Sequence, residues 1–340
     1  MSTETYKPDA ETEQLKAQSL HPIASELADY KASLGDGSKT FRGLVTGFSE
    51  VDNLISGLDR FILLAGRSGA GKTTLASQLA LGVASHTPVL FYSLEMGKSE
   101  IITMFIQALA KGLYRNDIEL QGNDPELPKD KKDRLDQAIA DLEPLAKNIY
   151  IRDATNGIPR IADAKDASSI YSTVESLKKR HNAERVLVVV DSVQDIVPMA
   201  NNQVQAEIQT VQELTEVQQK TGATILVVAQ KNKGSINSVD SYGDVMGSMS
   251  FIHKPNTVIE IITAKELLAK SKDDNDRKAE IEQLLEMDAK DGKSKPMYLN
   301  IIKGRYTGTS DIPLQYYGAY GYYSGGISTK NKKIYDLMNS

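Results

Sequence analysis

Apolar positions along this chain follow two rhythms. Between Gly43 and about Ile262, short runs of consecutive apolar residues alternate with stretches in which apolar residues recur every three or four positions. The runs are "RFILLA", "PVLFYSL", "NIYIRD", "RVLVVVD", "ATILVVAQ" and "NTVIEII". An unbroken run such as "VLVVV" predicts a strand buried on both faces, and strands that alternate with helical stretches predict crossover connections. The expected fold class is therefore α/β: a mostly parallel, twisted sheet flanked by helices, closed by a C-terminal β-hairpin region.

Three segments lie outside that alternation. "PIASELADYKASL" puts Ile23, Leu27, Tyr30 and Leu34 on one helical face before Gly35 and Gly37, so a short helix is expected there. Its apolar side would either fold back on its own domain or dock on a neighbouring subunit. Residues 264–296 are dense in charge and helical in spacing, which predicts a solvated helical insertion between two late strands. The last segment, "MYLNIIKGRYTGTSDIPLQYYGAYGYYS", is split by "GRYTGT" and "YGAYG" as hairpins would be. Its tyrosines, Tyr316, Tyr317, Tyr320, Tyr322 and Tyr323, are expected to pack on the sheet rather than stack on bases.

Composition narrows the function. With no Cys among 340 residues, disulfides and thiolate metal ligands are excluded, and the four His are too scattered to suggest a metal cluster. A reducing cytoplasm fits that usage. No apolar run approaches the roughly 18 residues of a membrane span, so no membrane partner is expected. A net charge of −5 argues against a broad basic surface for duplex DNA, yet it leaves room for a small basic channel.

The specific chemistry begins at "GRSGAGKT", residues 66–73, directly after an expected strand and before "TTLASQLALGVA", where Leu75, Leu79 and Val83 share one helical face. The pattern G-x-x-x-x-G-K-[ST] lets backbone N–H groups wrap phosphates, with a lysine for the β/γ oxygens and a hydroxyl for Mg²⁺. Gly66, Ser68, Gly69, Ala70, Gly71, Lys72, Thr73 and Thr74 are the candidate contacts to ATP. At average glycine usage a chance match in a chain this long occurs about once in a hundred. Asp191, ending "RVLVVVD", stands where a carboxylate would reach the Mg²⁺ shell, directly or through water; the plainer reading is an Asp capping a turn. Glu95 in "LFYSLEM" is the candidate to orient or deprotonate water, and otherwise a charge at a helix N-terminus. Gln230, closing "TILVVAQ", would touch the γ-phosphate, and otherwise is an ordinary polar strand end.

Taken in order, "VTGFSEVDNLISGL", "GRSGAGKTT", "FYSLEM", "VVVDSVQDI", "VVAQKNK" and "IIKGRYTGT" resemble the RecA-like motor domain of DnaB-family replicative helicases, over about residues 43–325. The resemblance implies a P-loop NTPase fold, ATP with Mg²⁺ between subunits of a hexameric ring, and 5′ to 3′ movement on single-stranded DNA during replication. It implies that Lys72 and Thr73 are the phosphate-loop pair, Asp191 the Mg²⁺ carboxylate, Glu95 the catalytic glutamate and Gln230 the sensor. It also implies that Lys303 and Arg305 reach the neighbour's ATP and that the segment 231–250 faces the pore. This segment departs from the family's arginine-rich wording, and Lys231, Lys233, Gly247 and Ser248 would either hold a DNA backbone phosphate through side chains and N–H groups or belong to a mobile surface loop. The expected organisation is an N-terminal extension with a linker helix over 1–42, a motor domain over 43–328 and a polar tail over 329–340. Only about forty residues precede "GLVTGF", where the family normally has a helical domain of roughly a hundred residues used in ring assembly and primase contact. A shortened N-terminus of phage or mobile-element type is therefore expected, with other replication proteins as further candidate partners. Two rival readings remain: a RecA-like recombinase or filament-forming paralogue, and an ATP-regulated assembly factor without unwinding activity.

Overall fold

A computed structural model describes residues 23–32, 34–35, 41–199, 201–231, 253–270, five positions between 275 and 282, 294–305 and 311–325. The chain divides into two compact units between Thr40 and Phe41. In the first, Ile23–Ala32 form helix α1. Ile23, Leu27 and Tyr30 on it, and Leu34 just beyond it, are all exposed.

The second unit is built on a nine-stranded sheet. Its strands are β1 (Phe61–Gly66), β2 (Val89–Ser93), β3 (Ile149–Asp153), β4 (Leu187–Asp191), β5 (Thr224–Gln230), β6 (Thr257–Thr263), β7 (Lys295–Gly304), β8 (Asp311–Tyr317) and β9 (Tyr322–Gly325). Their spatial order is β3-β2-β4-β5-β1-β6-β7-β8-β9. The first six are mutually parallel and the last three add antiparallel. Each of the six expected runs forms its strand, and β1, β2 and β4 are buried at every position. A strand's side chains alternate between faces, and the two halves of the core divide accordingly. Ile62 and Leu64 of β1 pack with Leu75, Leu79 and Val83 on one face; Phe61, Leu63 and Ala65 pack with Val174, Leu177, Val211 and Leu214 on the other. Each buried Leu or Val stabilises the fold by about 1.5–3 kcal/mol relative to exposure.

Ten helices can be delineated among the described residues. After α1 come α2 (Ser49–Ile55), α3 (Lys72–Val83), α4 (Lys98–Ala110), α5 (Arg115–Glu119), α6 (Lys129–Ala146), α7 (Ile170–His181), α8 (Val193–Ile196), α9 (Gln203–Thr221) and α10 (Ala264–Lys270). The first of the expected insertion's residues form α10, and it is less solvated than its charge implies. Ala264, Leu267 and Ile281 are buried with Ile262 and Tyr298, because the apolar side of this segment lies on the flank of the sheet.

The word "TGFSEVD" has a structural cause. Asp52 on α2 is buried, and its carboxylate accepts hydrogen bonds from the Thr46 amide (2.9 Å), the Thr46 hydroxyl (2.8 Å) and the Gly47 amide (3.0 Å). The turn so formed lies directly against α3. A Cβ on Gly82 would stand 1.6 Å from the Thr46 carbonyl oxygen, so only glycine admits this approach. Replacing Asp52 by Ala leaves three donors without their acceptor, and the expected cost is about 2–4 kcal/mol. Urea denaturation followed by circular dichroism measures it, and a loss below about 1 kcal/mol, the worth of one ordinary hydrogen bond, would show that the turn holds without the carboxylate.

Candidate nucleotide site at the carboxyl edge of the sheet

The loops leaving β2, β4, β5 and β1 emerge side by side, because those strands are neighbours and parallel. Such an edge, where successive connections diverge, is where open α/β sheets bind ligands. Gly69 and Gly71 have φ of +76° and +77°, conformations that favour glycine, and Gly71 is the N-cap of α3. The loop therefore delivers its last residues to the positive end of a helix dipole. Ser68, Gly69, Gly71, Lys72, Thr73, Thr74, Glu95, Asp191 and Gln230 all line one cleft of about 360 Å³. Gly66 instead closes β1, and Ala70 is buried beneath the loop.

Electrostatics inside the cleft are unbalanced. Burial holds the Lys72 ammonium below its usual pKa, against the pull of the Asp191 and Glu95 carboxylates. Its Nζ donates to the Arg67 carbonyl at 2.9 Å, across the loop itself. Burial also pushes the Asp191 carboxyl up to about 6; a hydrogen bond with Thr73 opposes the rise, and the nearby Glu95 charge adds to it. A cation beside Asp191 would offset that burial. The oxygens available there, the Thr73 hydroxyl and the Asp191 carboxylate, are hard donors of the type Mg²⁺ takes. Among the described residues no group of three or more His, Cys, Asp or Glu converges to hold a metal.

Glu95 is exposed and lies two residues beyond the end of β2, in a bend, rather than at the strand terminus that the sequence implied. The strand stops at Ser93, whose hydroxyl donates to the Met96 carbonyl and turns the chain (2.7 Å). Ser192, which follows Asp191, donates its single hydroxyl proton to Asp195 Oδ2 at 2.5 Å, and Glu95 Oε1 is an alternative acceptor at 3.3 Å. Sequence reasoning did not single out Ser192. At the end of β5 the Gln230 carbonyl accepts from Gln194 Nε2 at 3.0 Å, tying the strand end to α8.

Lys231 is a correction. Expected to face DNA, it turns inward: its ammonium pairs with Glu260 at 2.5 Å, and the two side chains are only 12% and 5% exposed. Its amide donates to the Gly66 carbonyl, so the β5–β1 ladder runs one residue further than the apolar run. Glu260 sits within a buried strand and needs a partner charge. Lys233, Gly247 and Ser248 lie outside the described residues.

Lys303 and Arg305 are brought together with each other but not with the cleft. Lys303 pairs in register with Val258, and the Arg305 amide donates to the Asn256 carbonyl, at the end of the sheet where β1 begins. The phosphate loop leaves the other end of β1, five residues and roughly 16 Å away. Arg305, Arg60, Lys254, Gln218 and Gln219 line a second cavity of about 450 Å³. Burial, and then the Arg305 charge, lower the Lys303 pKa, and its ammonium donates to the His253 carbonyl at 2.5 Å.

The far wall of the nucleotide cleft is the other unforeseen part. Tyr316 from β8 and Gly318, Ala319 and Gly321 from the β8–β9 turn line it with Met104, Gln107 and Arg115. Four of the five tyrosines stack in cross-strand pairs, Tyr316 on Tyr323 at 4.6 Å and Tyr317 on Tyr322 at 4.7 Å, whereas Tyr320, expected on the sheet, lies in the turn against Tyr114 at 4.8 Å. That one pair lies under the phosphate loop has no local signal, since Ala70 and Tyr323 are 253 positions apart.

Fold and cleft together define a P-loop nucleotide-binding domain of the RecA-like type. Comparison with known proteins narrows this: residues 43–324 match the family model of the DnaB-like helicase C terminal domain, and the chain belongs to that family. The replicative DNA helicase DnaB of Leifsonia xyli subsp. xyli is 44% identical over 79 residues, 22% of this chain and 17% of that protein. A probable replicative DNA helicase of Trieres chinensis is 25% identical over 205 residues, 58% of this chain and 41% of that protein. The aligned stretches thus span less than half the length of these relatives. Among solved structures, one described as an ATPase domain superposes with a TM-score of 0.69 at 19% identity, covering 90% of this chain and 99% of that one. A DnaB-like replicative helicase solved with its primase interactions gives 0.67 at 18% identity, covering 94% and 71%. No helix among the described residues is long and apolar enough to cross a membrane.

The raised Asp191 pKa sets a stability test. Between the ordinary 3.8 and about 6 the folded state holds a proton that the unfolded chain has lost, so this group's contribution is full at low pH and vanishes as pH rises through 6. Asp191→Asn should therefore raise the unfolding free energy of nucleotide-free, Mg²⁺-free protein at pH 7.5, by up to about 3 kcal/mol in urea denaturation. The advantage should shrink below pH 4. Equal stabilities at pH 7.5 would show that the ionised carboxylate is already compensated.

Proposed function

We propose that this chain is an ATP-hydrolysing motor of a replicative DNA helicase, acting on single-stranded DNA as a ring of identical subunits. The observation that carries the reading is the separation of its two charged sets. The phosphate loop, Asp191 and Glu95 stand at one end of the sheet, whereas Lys303 and Arg305 stand at the other. A single subunit cannot bring both to one triphosphate. Two adjacent subunits can, and the cationic cavity that holds Arg305, Arg60 and Lys254 is the half that would face the neighbour's nucleotide.

In this reading Lys72 releases the Arg67 carbonyl and binds the β/γ oxygens, while the N–H groups of residues 68–73 surround the phosphates. Thr73 and Asp191 would hold Mg²⁺, which would supply charge neutralisation at the phosphate oxygens. Glu95, within reach of the Ser192 hydroxyl, orients the attacking water and accepts its proton. Gln230 reports the state of the γ-phosphate to the segment beyond Lys231. Arg305 of the adjacent subunit stabilises the charge that develops on the transferring phosphoryl. The family match supports the nucleotide-dependent activity, and the names of the relatives support replication as its setting.

The test is ATPase rate on size-resolved oligomer, with and without single-stranded DNA. Glu95→Gln should lower kcat about 10²- to 10⁴-fold with ATP affinity nearly unchanged, whereas Lys72→Ala should abolish tight binding. Arg305→Ala should also fall by at least about 10³-fold. Mixing Arg305→Ala with Glu95→Gln subunits should restore part of the rate, since some interfaces then hold one intact half from each. Rings that show no recovery at any ratio would sink the shared site, and a rate indifferent to DNA would sink the motor.

A further inference from the structure

The β8–β9 hairpin touches the phosphate loop. Tyr323 is buried, and its hydroxyl donates to the carbonyl of Ala70 at 2.5 Å. Tyr316, stacked on Tyr323 with an interplanar angle of 22°, lies against Gly71. A Cβ at position 71 would meet Tyr323 Oη at 2.6 Å and Tyr316 Cζ at 2.8 Å, whereas a Cβ at Gly69 would meet nothing within 4 Å. The two glycines thus differ: Gly69 is required for its dihedral alone, Gly71 for its dihedral and for the rings packed on it.

The hairpin is itself fixed to the helix that the loop opens. Gln78 of α3 accepts from the Tyr323 amide and donates to the Tyr323 carbonyl, both at 2.8 Å. Tyr323 therefore reads the position of α3 through its main chain and holds the loop through its side chain. The Ala70 carbonyl and the Gly71 N–H belong to one trans peptide and point in opposite directions. A carbonyl anchored on the buried tyrosine turns that N–H away from the tyrosine, and Gly71 lines the cleft.

We propose that Tyr323 is a positioning residue for the nucleotide site: its hydroxyl holds the Ala70–Gly71 peptide so that the Gly71 N–H faces the phosphates. Tyr316 and Gln78 keep the ring in place. Burial, and secondarily Tyr316, raise the Tyr323 pKa well above its usual value, so the phenol remains a donor throughout the neutral range. The inference rests on the nucleotide reading above and adds to it a structural reason for a tyrosine so distant in sequence from the loop.

Tyr323→Phe removes one oxygen and keeps the ring, and Tyr317→Phe, on the neighbouring stacked pair, is the control. Affinities for ATP and for inorganic tripolyphosphate are measured by calorimetry on the full chain, beside thermal unfolding. Tyr323→Phe should weaken both ligands about five- to tenfold, the effect of misdirecting one donor. It should raise KM with little change in kcat, and its unfolding midpoint should stay within a few degrees of the parent. Tyr317→Phe should bind both as the parent does. Unchanged affinities in Tyr323→Phe would overturn the proposal, as would a loss confined to ATP, which would place the effect on the nucleoside side. A parent protein that binds neither ligand would instead overturn the nucleotide reading itself.

Discussion

The structure depends on the pairing of β1 with β5 and β6, in register along the strand and dry on both faces. Beyond the hydrogen bonds that its carbonyls accept from Lys72 and Tyr323, the phosphate loop is held at its ends. Six buried residues hold the first end in the middle of the sheet, and α3, packed on the same core through Leu75, Leu79 and Val83, holds the second. Parallel pairing then places the ends of β2, β4 and β5 alongside, which is why residues as distant in sequence as Glu95, Asp191 and Gln230 share a cleft. Moving β4 by one residue would exchange Asp191 for an apolar neighbour and turn its carboxylate to the other face.

Much of this was readable because it is local. Unbroken apolar runs identify buried parallel strands, and a glycine-rich octapeptide between strand and helix identifies the loop that lines the cleft. The position of Asp191 follows from counting to the end of a run. Glu95 was legible in kind but not in place, because the end of β2 is set by the Ser93 hydroxyl capturing the Met96 carbonyl, a contact that periodicity does not register.

What stayed hidden is what distant segments do to each other. Lys231 read as the first residue of a loop, since nothing in "AQKNK" says that the β5 ladder continues or that Glu260 on another strand awaits a counter-charge. The tyrosines read correctly as rings that pack, yet the sequence holds no sign that they pack beneath Gly71. Asp52 belongs to a family word whose reason is visible only when Thr46, Gly47 and Gly82 come together. In each case the missing information is a register or a close approach, and both are properties of pairs.

The roughly 16 Å of strand between Phe61 and Gly66 also has a consequence for symmetry. Each protomer carries one unlike surface at either end, an acceptor of phosphate and a cluster of cations, and the two cannot be exchanged. On the shared site proposed above, a two-fold dimer would set each surface against its own kind and leave the site incomplete. Association on that proposal would be head to tail, with polarity, and such a chain of contacts ends only by closing on itself or by growing without limit.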